Sequence, residues 1–297
     1  KAPHLDIKCE NIPCTIFYNL IERYIFFMLI IDAHIHIWNK GLPRPAHRQS
    51  PYSADQVLAD MAKAQIDAAI IQPPAWDSDA NQIAIAAAKL YPQRFGILGN
   101  FSLQVPNGIE VLHQWKKQSG MLGLRYILND PLHAQFFSGT ELDWLWRTAE
   151  ELNIPIALAS SNHLSLLEII AKRFPKLRLI IDHLGVPLDA KGEGAFSHLP
   201  ELISLSQYPN IAIKATAVPA YAIDHYPYLA IEPFVEKIFQ AFGPNRFFWG
   251  SDITKLQCTW LECVELFTVQ YQWLSSSDKD LVMGKALCNW LDWKISG

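Results

Sequence analysis

Eight short apolar runs, each followed by a stretch with a helical repeat, constrain this chain more than any other feature. The runs are MLIIDAHIHI (28–37), DAAIIQP (67–73), FGILGNF (95–101), LGLRYI (122–127), IPIALAS (154–160), LRLIIDH (177–183), NIAIKAT (210–216) and RFFWGSD (246–252). Continuous apolar runs of this length suit parallel strands covered on both faces. Amphipathic stretches follow at 53–65, 79–91, 108–119, 141–152, 163–174, 195–207, 230–242 and 259–273, and a last helix is expected over about 277–293. Ser53 is placed as an N-cap, with Gln56 at the matching capping-box position. Helix exits are marked by Tyr91-Pro92, Phe174-Pro175, Tyr208-Pro209 and Phe242-Gly243-Pro244. Eight strand–helix repeats predict an α/β fold, a single-domain (β/α)₈ TIM barrel over 28–297. A doubly wound open sheet is the alternative, but it would carry a Gly-rich phosphate turn after its first strand, and none is present.

Half of the 297 residues are apolar, enough for a large core, and the net charge of −4 is spread without blocks. No basic stripe marks a nucleic-acid surface, so a small-molecule substrate fits better. The five cysteines are odd in number and form no CxxC pair. They read as reduced thiols of a cytoplasmic protein. The apolar stretch 11–31 is interrupted by Glu22 and Arg23, too early for a bilayer span, and no membrane partner is expected. Residues 1–27 lack the periodicity of the rest. They are expected to be an N-terminal extension outside the barrel, with Met28 as the natural start. A homo-oligomer is left open by the sequence.

Barrel enzymes keep their chemistry at the C-terminal ends of the strands. There the first strand presents His34 and His36, two residues apart and therefore on one face. A lone buried histidine is usually a satisfied core residue. A pair at this spacing can reach one ion or one carbonyl oxygen. The sixth strand ends in Asp182-His183. Alternation lets one of them face the barrel axis; His183 is taken as that one and Asp182 as structural. The eighth ends in Gly250-Ser251-Asp252, where Asp252 could ligate a metal, deprotonate water or cap the next helix. Arg125 in the fourth strand and Lys214 in the seventh could hold a substrate carboxylate or form a structural ion pair. Trp76, His133, Asn162, His163 and His225 stand in loops past strand ends, where they would shape a pocket.

The segments IIDAHIHIW, GLRY, LRLIIDHLGVP and FFWGSD, in this order, resemble the amidohydrolase superfamily. The resemblance is to its amidohydrolase-related TIM-barrel branch of metal-dependent hydrolases, which includes 2-pyrone-4,6-dicarboxylate lactonase and sugar lactonases, and it runs from about Met28 to the end. It implies an HxH on His34 and His36, the sixth-strand histidine on His183 and the water-activating aspartate on Asp252. It implies a carboxylate-binding arginine on Arg125 and a basic position on Lys214. Two-metal members carry a fourth-strand lysine or glutamate and a fifth-strand histidine. This chain has Arg125 and Ala157-Leu158-Ala159-Ser160-Ser161 there, which argues against a binuclear centre. His163 lies a few residues late, and the usual Trp-Pro after GSD is Ile253-Thr254 here.

The expected reaction is hydrolysis of a lactone or similar cyclic ester of a small carboxylated molecule. Asp252 would activate water, and His34, His36 and His183 would polarise the carbonyl, directly or through one divalent ion. That ion would be zinc or manganese on His34, His36 and Asp252; a metal-free site suits the same residues. The alternatives are a mononuclear zinc-dependent non-oxidative decarboxylase and a barrel that binds a ligand without turning it over.

Overall fold

The structure, a computed structural model, describes residues 28–128, 139–161 and 163–295. Eight strands form one parallel sheet in chain order: β1 (Ile31–Ile35), β2 (Ala68–Ile71), β3 (Phe95–Gly99), β4 (Met121–Ile127), β5 (Ile156–Ala159), β6 (Leu179–Ile181), β7 (Ile211–Ala215) and β8 (Phe247–Trp249). An order without a reversal is that of the expected barrel and rules out the doubly wound sheet. The helices are α1 (Ala54–Lys63), α2 (Ala80–Leu90), α3 (Gly108–Trp115), α4 (Asp143–Glu151), α5 (Leu164–Arg173), α6 (Leu199–Ser204), α7 (Val218–Tyr221), α8 (Glu232–Phe242), α9 (Trp260–Glu265), α10 (Ser276–Asp280) and α11 (Ala286–Leu291). The capping box on α1 is formed: the Ser53 amide donates to Gln56 Oε1 at 3.1 Å, and the Gln56 amide to Ser53 Oγ at 3.3 Å. The expected extension 1–27, with Cys9 and Cys14, lies outside the described residues.

Two layers of core follow from strand alternation. Ile31, Ala33, Ala68, Ile70, Leu98, Ala157, Ile180, Ala212 and Phe248 point inward, and Leu287, Leu291 and Trp293 pack against them. The alternate set, including Ile71, Ile97, Leu124, Leu158, Ile181, Ile213 and Trp249, packs outward against the helices. The helix expected over 277–293 is broken into α10, a wider π turn at Leu281–Lys285, and α11. The break lets Gly284 press on the backbone leading into β1, where a Cβ would meet the Leu29 carbonyl oxygen at 2.7 Å and Ile31 Cγ1 at 3.1 Å. The helix expected over 259–273 likewise ends as α-helix at Glu265 and continues as a π turn, Leu266–Gln270.

A buried carboxylate joins the last strand to the first. Asp32 Oδ1 accepts the amides of His34 and Ser251, each at 2.9 Å, and Oδ2 accepts the Trp260 indole N–H at 2.7 Å. Burial pushes the Asp32 carboxyl up to about 6, against the pull of these bonds. Close packing at this seam requires Gly250: a Cβ there would meet Thr216 Cγ2 at 2.7 Å and the Ala33 amide nitrogen at 2.9 Å. Gly250→Ala is therefore expected to cost about 1–3 kcal/mol by overpacking. Urea unfolding checks this, and an unshifted midpoint would show that the seam relaxes freely.

Among the described residues no helix is long and apolar enough to cross a membrane. Among the described residues Cys258, Cys263 and Cys288 form no disulfide, and the sulfurs of the first two lie 3.5 Å apart.

Candidate active site

The strands deliver a compact polar cluster at their C-terminal ends. His34 is fully buried at the end of β1, and His36 follows it. Their rings lie 5.0 Å apart by centroid, and the His34 ring is 4.6 Å from that of His183. Ligand atoms of His34, His36 and Asp252 all lie within 4.8 Å of one another, as do those of His34, Asp182 and His183. His34 belongs to both groups and is the centre of the site.

Alternation along β6 turned out differently from the sequence reading. Asp182 follows Ile180 inward, and His183 does not take that place by strand geometry. The strand stops at Ile181, and His183 and Leu184 adopt left-handed backbone, with φ of 59° and 54°. This turn swings His183 back toward His34, so both residues of the pair reach the site. Thr216 fixes the ring. Its Oγ1 accepts the His183 amide at 3.2 Å and lies 2.8 Å from Nδ1. When the hydroxyl donates to Nδ1, Nε2 carries the ring proton. The Tyr221 hydroxyl donates to the Thr216 carbonyl at 3.1 Å and secures the turn from behind.

Arg125 and Lys214 converge on Asp182. Arg125 Nε donates to Oδ2 at 2.7 Å, and Lys214 Nζ pairs with Oδ1 at 2.9 Å. Of the two roles open to these cations in the sequence, the structure shows the ion pair, and Lys214 is wholly buried in it. Burial alone would raise the Asp182 carboxyl, but Lys214 and Arg125 hold it well below the usual carboxylate range. The Asp182 side chain thus binds cations instead of capping a helix.

Asp252 has a left-handed backbone, φ 54°, and its side chain caps nothing. Its amide donates to the His34 carbonyl at 2.9 Å, which aims the carboxylate inward. Oδ1 stands 3.4 Å from His36 Nε2 and accepts no hydrogen bond among the described residues. Burial pushes the carboxyl up to about 7, opposed mainly by Lys255 and Arg125. Burial, then the Arg125 charge, keeps His34 and His36 neutral, and burial brings His183 down to about 3 although Asp182 pulls the other way.

These states bear on whether a cation fits. His36 Nδ1 donates to the Gln72 carbonyl at 2.6 Å, so the neutral ring turns the lone pair of Nε2 toward Asp252. Two acceptors then face each other, and only a proton or a cation between them relieves the contact. Both ring nitrogens of His34 are buried without a partner among the described residues. Each would cost about 1–3 kcal/mol if nothing bound there. The donor set, two neutral imidazoles and a carboxylate, suits one divalent ion.

Trp76 forms one wall, its ring 5.6 Å from that of His36 and 5.1 Å from that of His47. His163 starts α5 and His225 is exposed; neither joins the cluster. His133 and Asn162 lie outside the described residues. The sequence reading missed His47, Thr216, Tyr221 and Lys255. His47 sits 5.4 Å from His36 by ring centroid and bonds Thr254 across 207 residues of sequence. No local pattern could carry that contact.

Comparison with known proteins agrees with this architecture. Residues 31–281 match the family model described as amidohydrolase. Over 96 residues the chain is 35% identical to L-fucono-1,5-lactonase of Burkholderia ambifaria; the match covers 32% of this chain and spans 33% of that protein's length. An amidohydrolase of Burkholderia multivorans with bound zinc aligns over 89% of this chain and 99% of its own, at TM-score 0.77 and 19% identity. A probable 2-pyrone-4,6-dicarboxylic acid hydrolase of Acinetobacter baumannii, with citric acid bound, aligns over 90% and 100%, at TM-score 0.68 and 18% identity. At these identities the two solved structures show the shared fold.

Proposed function

This chain belongs to the amidohydrolase family, and from that premise we propose that it opens a lactone, or a similar cyclic ester, of a small carboxylated molecule. One observation carries the reading: buried His34, with both ring nitrogens unpartnered, lies between His183 on one side and the His36–Asp252 contact on the other. That arrangement offers donors to a carbonyl oxygen and, beside them, a carboxylate positioned to take a proton.

The chain's own groups account for each step. The lactone carbonyl enters between His34 and His183, and a water lies against Asp252. Asp252 takes a proton as the water oxygen bonds to the carbonyl carbon. The carbonyl oxygen gains negative charge, and ring N–H donors on His34 and His183 stabilise it; such donors are among the largest contributors to acyl-transfer catalysis. Collapse of the tetrahedral intermediate breaks the ring C–O bond, and Asp252 returns its proton to the leaving oxygen. A carboxyl group near 7 suits this exchange, since a base works best with a pKa close to the working pH. Trp76 supplies an apolar wall for the ring. Arg125 and Lys214 keep Asp182 ionised and in place.

A divalent ion, zinc or manganese, would be held by His34, His36 and Asp252 and would add Lewis-acid polarisation of the carbonyl and a more acidic water. Protein purified without a polyhistidine tag or chelator is expected to carry about one such ion per chain, as measured by inductively coupled plasma mass spectrometry. The activity test is proton release from a panel of carboxylated and sugar lactones, followed at constant pH, with carbon dioxide measured in parallel. Acid release without carbon dioxide supports the proposal. Carbon dioxide from an aromatic acid would replace it with the decarboxylase, and binding without either product would leave a ligand-binding barrel.

A further inference from the structure

Arg125, through Nε, and Lys214 both pair with Asp182, so a cation outside this pair is a candidate to hold a substrate carboxylate. Lys255 meets the description. It lies three residues past Asp252, at the end of the short turn Ile253–Lys255, and its amide donates to the Asp252 carbonyl at 2.9 Å. The turn ties this segment directly to the proposed base. Eight lysine or arginine ion pairs with carboxylates join described residues, and the Lys255 ammonium takes part in none of them.

Lys255 lines a cavity of about 40 Å³ together with Ser160, Asp182, His183 and Tyr221. Ser160 directly follows β5. Its hydroxyl is buried, at 1% exposure of the residue, and has no hydrogen-bond partner among the described residues. A buried hydroxyl left unpaired is destabilising, so a ligand group in the cavity would restore what folding removed. The space is small, a few times the ~10–15 Å³ of probe volume that a single water needs, which suits one compact polar group. An ammonium donates only, and the hydroxyl has a proton free to donate; a carboxylate is the acceptor-only group that answers both. Asp182 in the same wall pairs with Arg125 and Lys214 and forms no ion pair with Lys255.

We propose that Lys255 and Ser160 form the subsite that binds a carboxylate of the substrate, beside His183 in the cavity between the ends of β5, β6 and β8. The inference rests on the lactonase reading for its substrate class, but not for its geometry. It reassigns carboxylate recognition from the strand cations to a loop lysine and a strand-end serine.

The test is isothermal titration calorimetry with isophthalate, a planar dicarboxylate that cannot be hydrolysed, on the full chain. Neutral isophthalamide is the control. Lys255→Met is expected to weaken isophthalate binding about 10- to 100-fold, the range for a hydrogen bond to a charged group. Ser160→Ala should weaken it about 3- to 10-fold. Lys255→Arg, which keeps the charge but changes its shape, should recover affinity to within about fivefold of wild type. The loss on isophthalamide should be at least fivefold smaller than on isophthalate. Equal losses on the two probes, an unchanged Lys255→Met, or a wild-type chain that binds no isophthalate would each overturn the subsite. Binding through Lys255 by a protein that opens no lactone would keep the subsite and sink the lactonase reading. Lactone opening with an unaltered KM for a carboxylated lactone in Lys255→Met would do the reverse.

Discussion

Asp252→Asn is expected to lower kcat by about 10²–10⁴-fold on whichever lactone the wild type opens, the usual contribution of a positioned general base. The size follows from the chemistry. An amide cannot accept the proton of the attacking water, and the histidines that remain are neutral and held below the range of useful bases by burial. The fold should survive. Asparagine is nearly the same size and tolerates the left-handed backbone that Asp252 adopts, φ 54°, better than most residues. The amide bond to the His34 carbonyl is a backbone contact and is untouched. Circular dichroism and a urea midpoint close to wild type should therefore accompany the lost turnover. A variant within threefold of wild-type kcat would remove Asp252 from the role of base. An unfolded variant would show that Asp252 holds the loop as well, and Asp252→Glu would then separate the two functions, since it restores the carboxylate.

Asp182→Ala is expected to destabilise the fold by about 3–5 kcal/mol, the typical result of removing one partner from a buried ion pair. Here the loss strands two cations together. Lys214 has no exposure and Arg125 very little, so neither can turn to water. Lys214→Met should cost less, because Asp182 keeps its bond from Arg125 and the methionine fills a similar volume. The expected order in urea is wild type, then Lys214→Met, then Asp182→Ala. Equal stability of Asp182→Ala and wild type would mean that the cations escape burial. The pH dependence has a defined sign. The folded carboxyl is held below its unfolded value of about 3.9, so its stabilisation is complete above that pH and is lost as pH falls through the folded value. The gap between wild type and Asp182→Ala should accordingly be flat from neutral pH down to about 5 and close only in stronger acid.

The barrel was legible because its signal is local. Strands buried on both faces must be apolar at successive positions, and helices covering them must repeat at 3.6 residues. Both demands are written in consecutive residues, and the eight runs recur as β1 to β8 in the same order. His34 with His36 was legible for a related reason. Their spacing of two survives even though the pairing of β1 with β2 shifts between Asp32 and Ile35. Where the backbone left its regular geometry, the reading stopped. His183 owes its place to two left-handed residues that no alternation anticipates, and Asp182 holds the inward position that the sequence reading gives to His183.

By itself, then, the sequence determined the order of the elements, the two core layers and the strand ends at which polar groups gather, since these depend on near neighbours. Only the tertiary structure decided which of those groups meet. Asp182 lies 57 residues from Arg125 and pairs also with Lys214 in the next strand, and Asp32 binds Ser251 across 219 residues. Whether a buried cation serves a substrate or an ion pair depends on which opposite charge the closing barrel brings to it, and electrostatic attraction acts through space with no regard for distance along the chain.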